Sequence, residues 1–292
     1  MIETPLINKL AIIGTGLIGG SLARALKAQG AVAKVIGVGR NPQNLEKAME
    51  LGAIDAFTHD AGAAVVSADM VVLATPIGAM EDAFRQIAPA LTPQAVVTDV
   101  GSVKAVVVAA ARRHLGERLP RFVPGHPIAG TERSGVTASE KDLFQDRHVV
   151  LTPVAETEPQ ATALVRQMWE VTGSTVSEMT VAQHDHVLSA TSHLPHVLAY
   201  TLVDHLAHRE DSELLFRLAA GGFYDFTRIA SSDPVMWRDI CLGNREAITA
   251  AVRAYRDALD QMLDALDRGD GEQLSELFTH AKRARDRYIK QR

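Results

Sequence analysis

The sequence predicts an α/β fold, a doubly wound Rossmann-type sheet domain followed by an all-helical domain. Three observations carry this. A glycine-rich turn, Gly14-Thr15-Gly16-Leu17-Ile18-Gly19, joins the first apolar run to a helix-like segment. Short apolar runs then alternate with helical periodicity up to residue 178. After about Thr180 no strand-like run of any length follows, and the chain reads as helix. Continuously apolar strands separated by helices imply a parallel sheet covered on both faces. The boundary is expected between 178 and 179.

The expected strands are Leu10–Ile13, Val35–Val38, Met70–Ala74, Ala95–Thr98, Arg121–Val123, His148–Leu151 and Thr175–Ser177. Helices are expected between them at Leu17–Ala28, Asn44–Leu51, Met80–Ile87, Lys104–Leu115 and Pro159–Val171. In the second half Val181–Leu206, Ser212–Ala219, Asp233–Asp267 and Gly271–Lys290 read as helix. There Ile248, Val252, Tyr255, Leu259, Met262 and Leu266 recur in steps of three or four and form one apolar stripe. Such a stripe is either a core-facing surface or a dimer seam. A short all-helical domain often needs a partner to cover stripes of this length, which favours a homodimer through residues 179–292.

Composition narrows the class. A chain of 292 residues fits two domains of about 150 residues each. At 47% hydrophobic residues it can bury a substantial core. The net charge of -5 and the lack of a basic cluster argue against a nucleic-acid surface. The longest apolar tracts are interrupted by Asp69, Asp99 and Lys104, so neither spans a membrane unaided. No secretory leader precedes the first strand, and a cytoplasmic location is expected. Cys241 is the sole cysteine, which excludes an intrachain disulfide; its helical context suits a small buried residue better than a nucleophile.

The glycine turn fits a dinucleotide. Gly14 permits the tight strand-to-helix turn, Gly16 lets backbone approach a pyrophosphate, and Gly19 lets helix and strand pack closely. Leu17 and Ile18 open the helix, whose free N–H groups favour the anion. The second strand decides which nucleotide. An acidic residue at its end would accept from the ribose 2′-OH of NAD; an arginine would accommodate the 2′-phosphate of NADP. Val38 is followed by Gly39 and Arg40, with no carboxylate. NADP is favoured, although Arg40 also reads as an ordinary surface arginine and a neutral site still accepts NAD.

Ligands in such sheets bind outside the carboxyl ends of the strands. The loop holding Thr75 and Pro76 is expected to cover the cofactor. Ser102 is expected near a helix N-terminus in the loop after Thr98. His126, between Gly125 and Pro127, is expected in a loop, poised rather than buried, with a structural loop histidine as the competing reading. His184, His186, His193 and His196 share one helical tract, but only His193 and His196 fall on a common face, so no metal site is expected.

These motifs carry a resemblance. Asp99-Val100-Gly101-Ser102-Val103-Lys104, Gly125-His126-Pro127-Ile128-Ala129-Gly130-Thr131-Glu132, Ser192-His193-Leu194-Pro195-His196 and Gly221-Gly222-Phe223-Tyr224-Asp225-Phe226-Thr227-Arg228-Ile229-Ala230 stand in the order found in the prephenate/arogenate (cyclohexadienyl) dehydrogenase family, with Met236-Trp237-Arg238-Asp239-Ile240 behind them. The chain resembles that family over essentially its whole length. The resemblance implies that His126 is the catalytic histidine and that Ser102 orients it beside the nicotinamide. It implies that Arg228 pairs with a substrate carboxylate and that His196 lines the substrate pocket. Thr131 and Glu132 would stand at the pocket entrance. The reaction implied is oxidative decarboxylation of prephenate or arogenate, with hydride passing to NAD(P). Neither the fused chorismate mutase nor the small regulatory domain of some family members is expected.

Two other readings compete. A hydroxyacid dehydrogenase also couples a nucleotide domain to a helical one, but it is expected to use a lysine from the helical half, and no lysine occurs between Lys141 and Lys282. A non-catalytic cofactor sensor would need no combination of Ser102, His126 and Arg228.

Overall fold

The apolar runs assemble in the computed structural model into a six-stranded parallel sheet of order β3-β2-β1-β4-β5-β6, and the structure describes residues 4–289. The strands are β1 Ile7–Ile13, β2 Val32–Val38, β3 Ala56–Thr58, β4 Met70–Leu73, β5 Val96–Asp99 and β6 Phe122–Val123. Between them run α1 Leu17–Ala28, α2 Pro42–Glu50, α3 Ala61–Val65, α4 Ile77–Ile87 and α5 Ala105–His114. Alternate β1 residues serve opposite faces. Leu10 and Ile12 pack with Leu22 and Leu26 of α1, whereas Ala11 and Ile13 pack with Met80 and Phe84 of α4. This two-sided burial is why the strands read as unbroken apolar runs.

Register aligns the strand ends that matter. Ile13 pairs with Val38 on one side and Leu73 on the other, and Leu73 pairs with Asp99. The loops after β1, β2, β4 and β5 therefore leave one edge together. The order reverses between β1 and β4, which is the switch point where such sheets bind ligands.

The strands expected at His148–Leu151 and Thr175–Ser177 do not join this sheet. They form β8 His148–Leu151 and β9 Thr175–Glu178 of a separate three-stranded sheet with β7 Gly125–Pro127. In it β7 is antiparallel to β8, and β8 is parallel to β9. The segment expected as a loop around His126 is thus strand, with His126 opposite Val150. Helix α6, Pro159–Glu170, lies between β8 and β9 and buries Val165, Met168 and Trp169 against the main sheet's core.

The helical half is more broken than its periodicity suggested. Val181–Leu206 divides into α7 Val181–Leu188, a π turn Ser189–His193 and α8 Leu194–Ala207. Pro195 has no N–H to give the carbonyl four residues back, so an unbroken α-ladder cannot pass this point. Next come α9 Ser212–Arg217, α10 Gly221–Thr227 and α11 Pro234–Gly243, and the expected Asp233–Asp267 helix breaks at Asn244. The chain ends in α12 Arg245–Asp267 and α13 Gly271–Ile289. By internal contacts the chain forms two compact units, Met1–Arg245 and Glu246–Arg292. Among the described residues no helix is long and apolar enough to cross a membrane.

Candidate active site

The glycine fingerprint has the geometry its sequence implied. Gly14 sits at φ 106°, and a Cβ there would strike the Ala74 backbone across the switch point. A Cβ on Gly19 would strike the Gly14 carbonyl. At Gly16, by contrast, nothing lies within 4 Å of a built Cβ, so space opens in front of the backbone. Gly16 is also the N-cap of α1 and offers no side-chain cap to the first-turn N–H groups, with Leu17 and Ile18 beginning the helix. Those donors and that space fit a pyrophosphate. At the next loop the Thr75 hydroxyl is buried without a hydrogen-bond partner, beside Pro76, the N-cap of α4. An unpaired buried hydroxyl beside the glycine turn fits a nicotinamide dinucleotide as well. Arg40 lies exposed just past β2.

Asp99 and Lys104 build the centre. Both are fully buried and ion-paired. Asp99 accepts from the Gly101 N–H at 2.8 Å and the Gly125 N–H at 3.2 Å. Lys104 Nζ donates to the Gly125 carbonyl at 2.6 Å. One ion pair thus ties the turn bearing Ser102 to the strand bearing His126. Burial pushes the Lys104 ammonium below its ordinary pKa, against the opposing pull of Asp99.

His126 is 9% exposed, a buried residue rather than a poised loop side chain. Pairing of β7 with β8 holds its backbone, and this is the tertiary contact a loop reading could not anticipate. Burial, then the neighbouring His184, Lys104 and His193, hold its pKa well below 6.5. Its hydrogen-bond partner is not Ser102. His126 Nδ1 lies 2.9 Å from His184 Nε2, and His184 Nδ1 lies 2.7 Å from Asp185 Oδ1. Ser102 is half-buried in the turn before α5 and, among the described residues, makes no side-chain hydrogen bond to His126.

The other expected residues divide into two groups. His196 stacks on Trp237 with centroids 3.7 Å apart and donates from Nδ1 to the Ser192 carbonyl at 2.9 Å. His193 turns elsewhere: it is fully buried and accepts from Asn244 Nδ2 at 3.2 Å. At the other group Arg228 is paired with Glu132 at 2.8 Å, and both are solvent-accessible. Thr131 precedes this pair and accepts from the Arg133 N–H at 3.2 Å. Arg228 is thus engaged with a carboxylate of the protein itself.

Family models match in the same order. Residues 22–178 match the prephenate dehydrogenase nucleotide-binding domain, and residues 180–280 match the prephenate dehydrogenase dimerization domain. The chain belongs to the prephenate dehydrogenase family. It is 39% identical to the cyclohexadienyl dehydrogenase of Zymomonas mobilis over 278 residues, 94% of each chain. It is 37% identical to the prephenate dehydrogenase of Bacillus subtilis, over 96% of this chain and 76% of that one. The crystal structure of prephenate dehydrogenase from Aquifex aeolicus with hydroxyphenyl propionate and NAD+ superposes with a TM-score of 0.91 at 39% identity, covering 96% of this chain and 98% of that one. Synechocystis arogenate dehydrogenase gives 0.80 at 32%, covering 96% and 99%. The dehydrogenase class, the Rossmann-type fold and the use of a nicotinamide dinucleotide follow from membership.

Sequence reasoning weighed His184 only as a metal ligand and missed Asp185. A signal was present: α7 carries two adjacent polar side chains, His184 and Asp185, on a face that helix packing buries.

Proposed function

We propose that this family member oxidatively decarboxylates prephenate, arogenate or both, giving 4-hydroxyphenylpyruvate or tyrosine. The observation that carries the reading is His126, a buried imidazole anchored through Gly125 to the Asp99–Lys104 pair at the carboxyl edge of the sheet. Its depressed pKa keeps it neutral at pH 7, the form that accepts a proton. Gly14, Gly16, Leu17, Ile18, Gly19, Thr75, Pro76 and Ser102 would hold the dinucleotide, which when bound supplies a hydride acceptor. His126 takes the proton of the ring hydroxyl as the alcohol carbon loses hydride. The ring carboxylate then leaves as carbon dioxide, and the electrons of its broken bond move through the ring to the new carbonyl oxygen. His126 returns the proton there, giving a phenol and no net proton change. Aromatisation supplies the driving force, so the side chains chiefly position the groups. Arg228 presents a fork to the substrate's side-chain carboxylate, with Glu132 and Thr131 at the entrance and His196 on the pocket wall.

Two finer features belong to this reading. Arg40 and the absent carboxylate after Val38 support NADP over NAD. The stripe on α12 supports a homodimer, since Leu259 and Leu266 are 46% and 53% exposed in the single chain. Initial rates with prephenate and arogenate, each with NAD and NADP, test the substrate and cofactor assignments. His126→Asn should lower kcat by about 10²–10⁴ while cofactor affinity holds. Near-native turnover in that variant would remove His126 from the chemistry.

A further inference from the structure

We propose that His184 and Asp185 are positioning residues: they fix His126 in the tautomer with its proton on Nδ1 and share the charge it gains. The proposal rests on His126 being the base. Asp185 sets the order of protons. Its Oδ1 accepts from the Lys104 N–H at 2.8 Å and its Oδ2 from the Ala105 N–H at 2.9 Å, at the N-terminus of α5. A carboxylate receiving two amide donors beside the positive end of a helix is ionised and only accepts. Its third contact, at 2.7 Å, is His184 Nδ1, which must therefore carry a hydrogen. With that hydrogen on Nδ1, His184 Nε2 is the acceptor that faces His126. Across the 2.9 Å contact, His126 Nδ1 must be the donor. This leaves His126 Nε2 bare, the nitrogen that accepts a hydroxyl proton.

The chain of contacts is held rigidly. His184 is fully buried, and Asn244 Nδ2 donates to the Asp185 carbonyl at 2.8 Å. The charged or titratable groups around His126 are His184, His193 and Lys104, with Asp99 paired to Lys104 and Asp185 behind His184. As Nε2 takes the hydroxyl proton, the Nδ1 hydrogen is drawn toward His184 Nε2, and Asp185 stabilises the resulting charge. No proton leaves the site. The logic is that of a carboxylate orienting a catalytic imidazole, with one histidine inserted between them.

The test uses the whole chain labelled with ¹⁵N-histidine. In the wild type, long-range ¹H–¹⁵N spectra should show His126 with a protonated Nδ1 and an unprotonated Nε2. In Asp185→Asn the side-chain amide can turn a donor toward His184 Nδ1, which inverts both rings. The His126 pattern should then reverse and kcat fall by about 10²–10⁴, with little change in substrate KM or cofactor Kd. His184→Gln keeps an acceptor for His126 and should recover more of kcat than His184→Ala. A wild-type His126 protonated on Nε2 would overturn the proposal, as would full kcat in a folded Asp185→Asn protein. If Asp185→Asn does not fold, the wild-type spectrum decides alone. The reading beneath it fails differently: His126→Asn would then keep its turnover whatever the tautomer.

Discussion

Arg228 shows how one residue's surroundings set its expected energetics. Its pair with Glu132 is exposed, and solvent screening leaves such pairs little net stabilisation. Glu132 has its pKa lowered by its own backbone N–H and then by Arg228, so it stays ionised at neutral pH. A substrate carboxylate arriving at Arg228 would displace only a weak partner. Arg228→Ala should raise substrate KM by roughly 10²-fold, the worth of a charge-assisted bidentate contact, with a smaller change in kcat. An unchanged KM would place the carboxylate elsewhere, with Arg238 the next candidate. Arg40 is a different case, since Val38 is followed by no acid and Arg40 is exposed. In Arg40→Asp a carboxylate would repel the 2′-phosphate and accept from the 2′-OH. The NADP/NAD ratio of kcat/KM should fall by about 10². A wild type that prefers NAD would return Arg40 to the status of a surface residue.

At the scale of the element, the π turn contributes to acid sensitivity through His193, alongside the buried His126. Burial first, then the neighbouring His184 and His196, lower the pKa of His193 from 6.5 to about 4, against the opposing attraction of Asp185. The unfolded chain thus binds a proton that the fold refuses between those values. Stability from this group is present above pH 6.5 and is lost as pH falls toward 4, by about 3 kcal/mol if fully expressed. Urea midpoints measured between pH 7 and 4 should fall, and His193→Gln should flatten the slope. An equal slope in the variant would assign the acid sensitivity to other groups.

Elements differed in how openly the sequence announced them. β1, β2, β4 and β5 were legible because both faces are buried, which forces unbroken apolar runs. β3 and α3 were not, because three and five residues are too few for a period to show. The second sheet was hidden for another reason: a strand's sequence does not encode its neighbour, so β8 and β9 looked like further members of the parallel sheet. The breaks at Ser189–His193 and Asn244 fell inside continuous helical periodicity. The site divides similarly. His126, Ser102 and Arg228 stood in motifs, whereas the His184–Asp185 arm exists only because α7 packs its polar pair against β7 and α5.

At the scale of the whole molecule, the apolar stripe is the informative surface. Ile248 is buried, but Tyr255, Leu259, Leu263 and Leu266 are 39–54% exposed on α12 of a single chain. On α13 Leu277 and Phe278 are 40% and 53% exposed. Aligned exposed apolar side chains of this size mark an interface. Sedimentation at micromolar concentration should report twice 31.5 kDa. A clean monomer would leave the stripe as exposed surface and separate this chain from the dimeric architecture its family model describes.

The π turn also acts as a protractor. An α-helix advances about 100° per residue, so one residue more or fewer between α7 and α8 is a rotation as well as a change in length. His196, stacked on Trp237, and Tyr200, whose hydroxyl donates to the Ser232 carbonyl at 2.6 Å, both lie downstream. His184 and Asp185 lie upstream, fixed to β7 and α5. The residue count of this tract therefore sets the angle between the His184–Asp185 arm and the His196 and Tyr200 side chains. A point substitution there can be absorbed locally, whereas a one-residue insertion or deletion would turn one set away from the other.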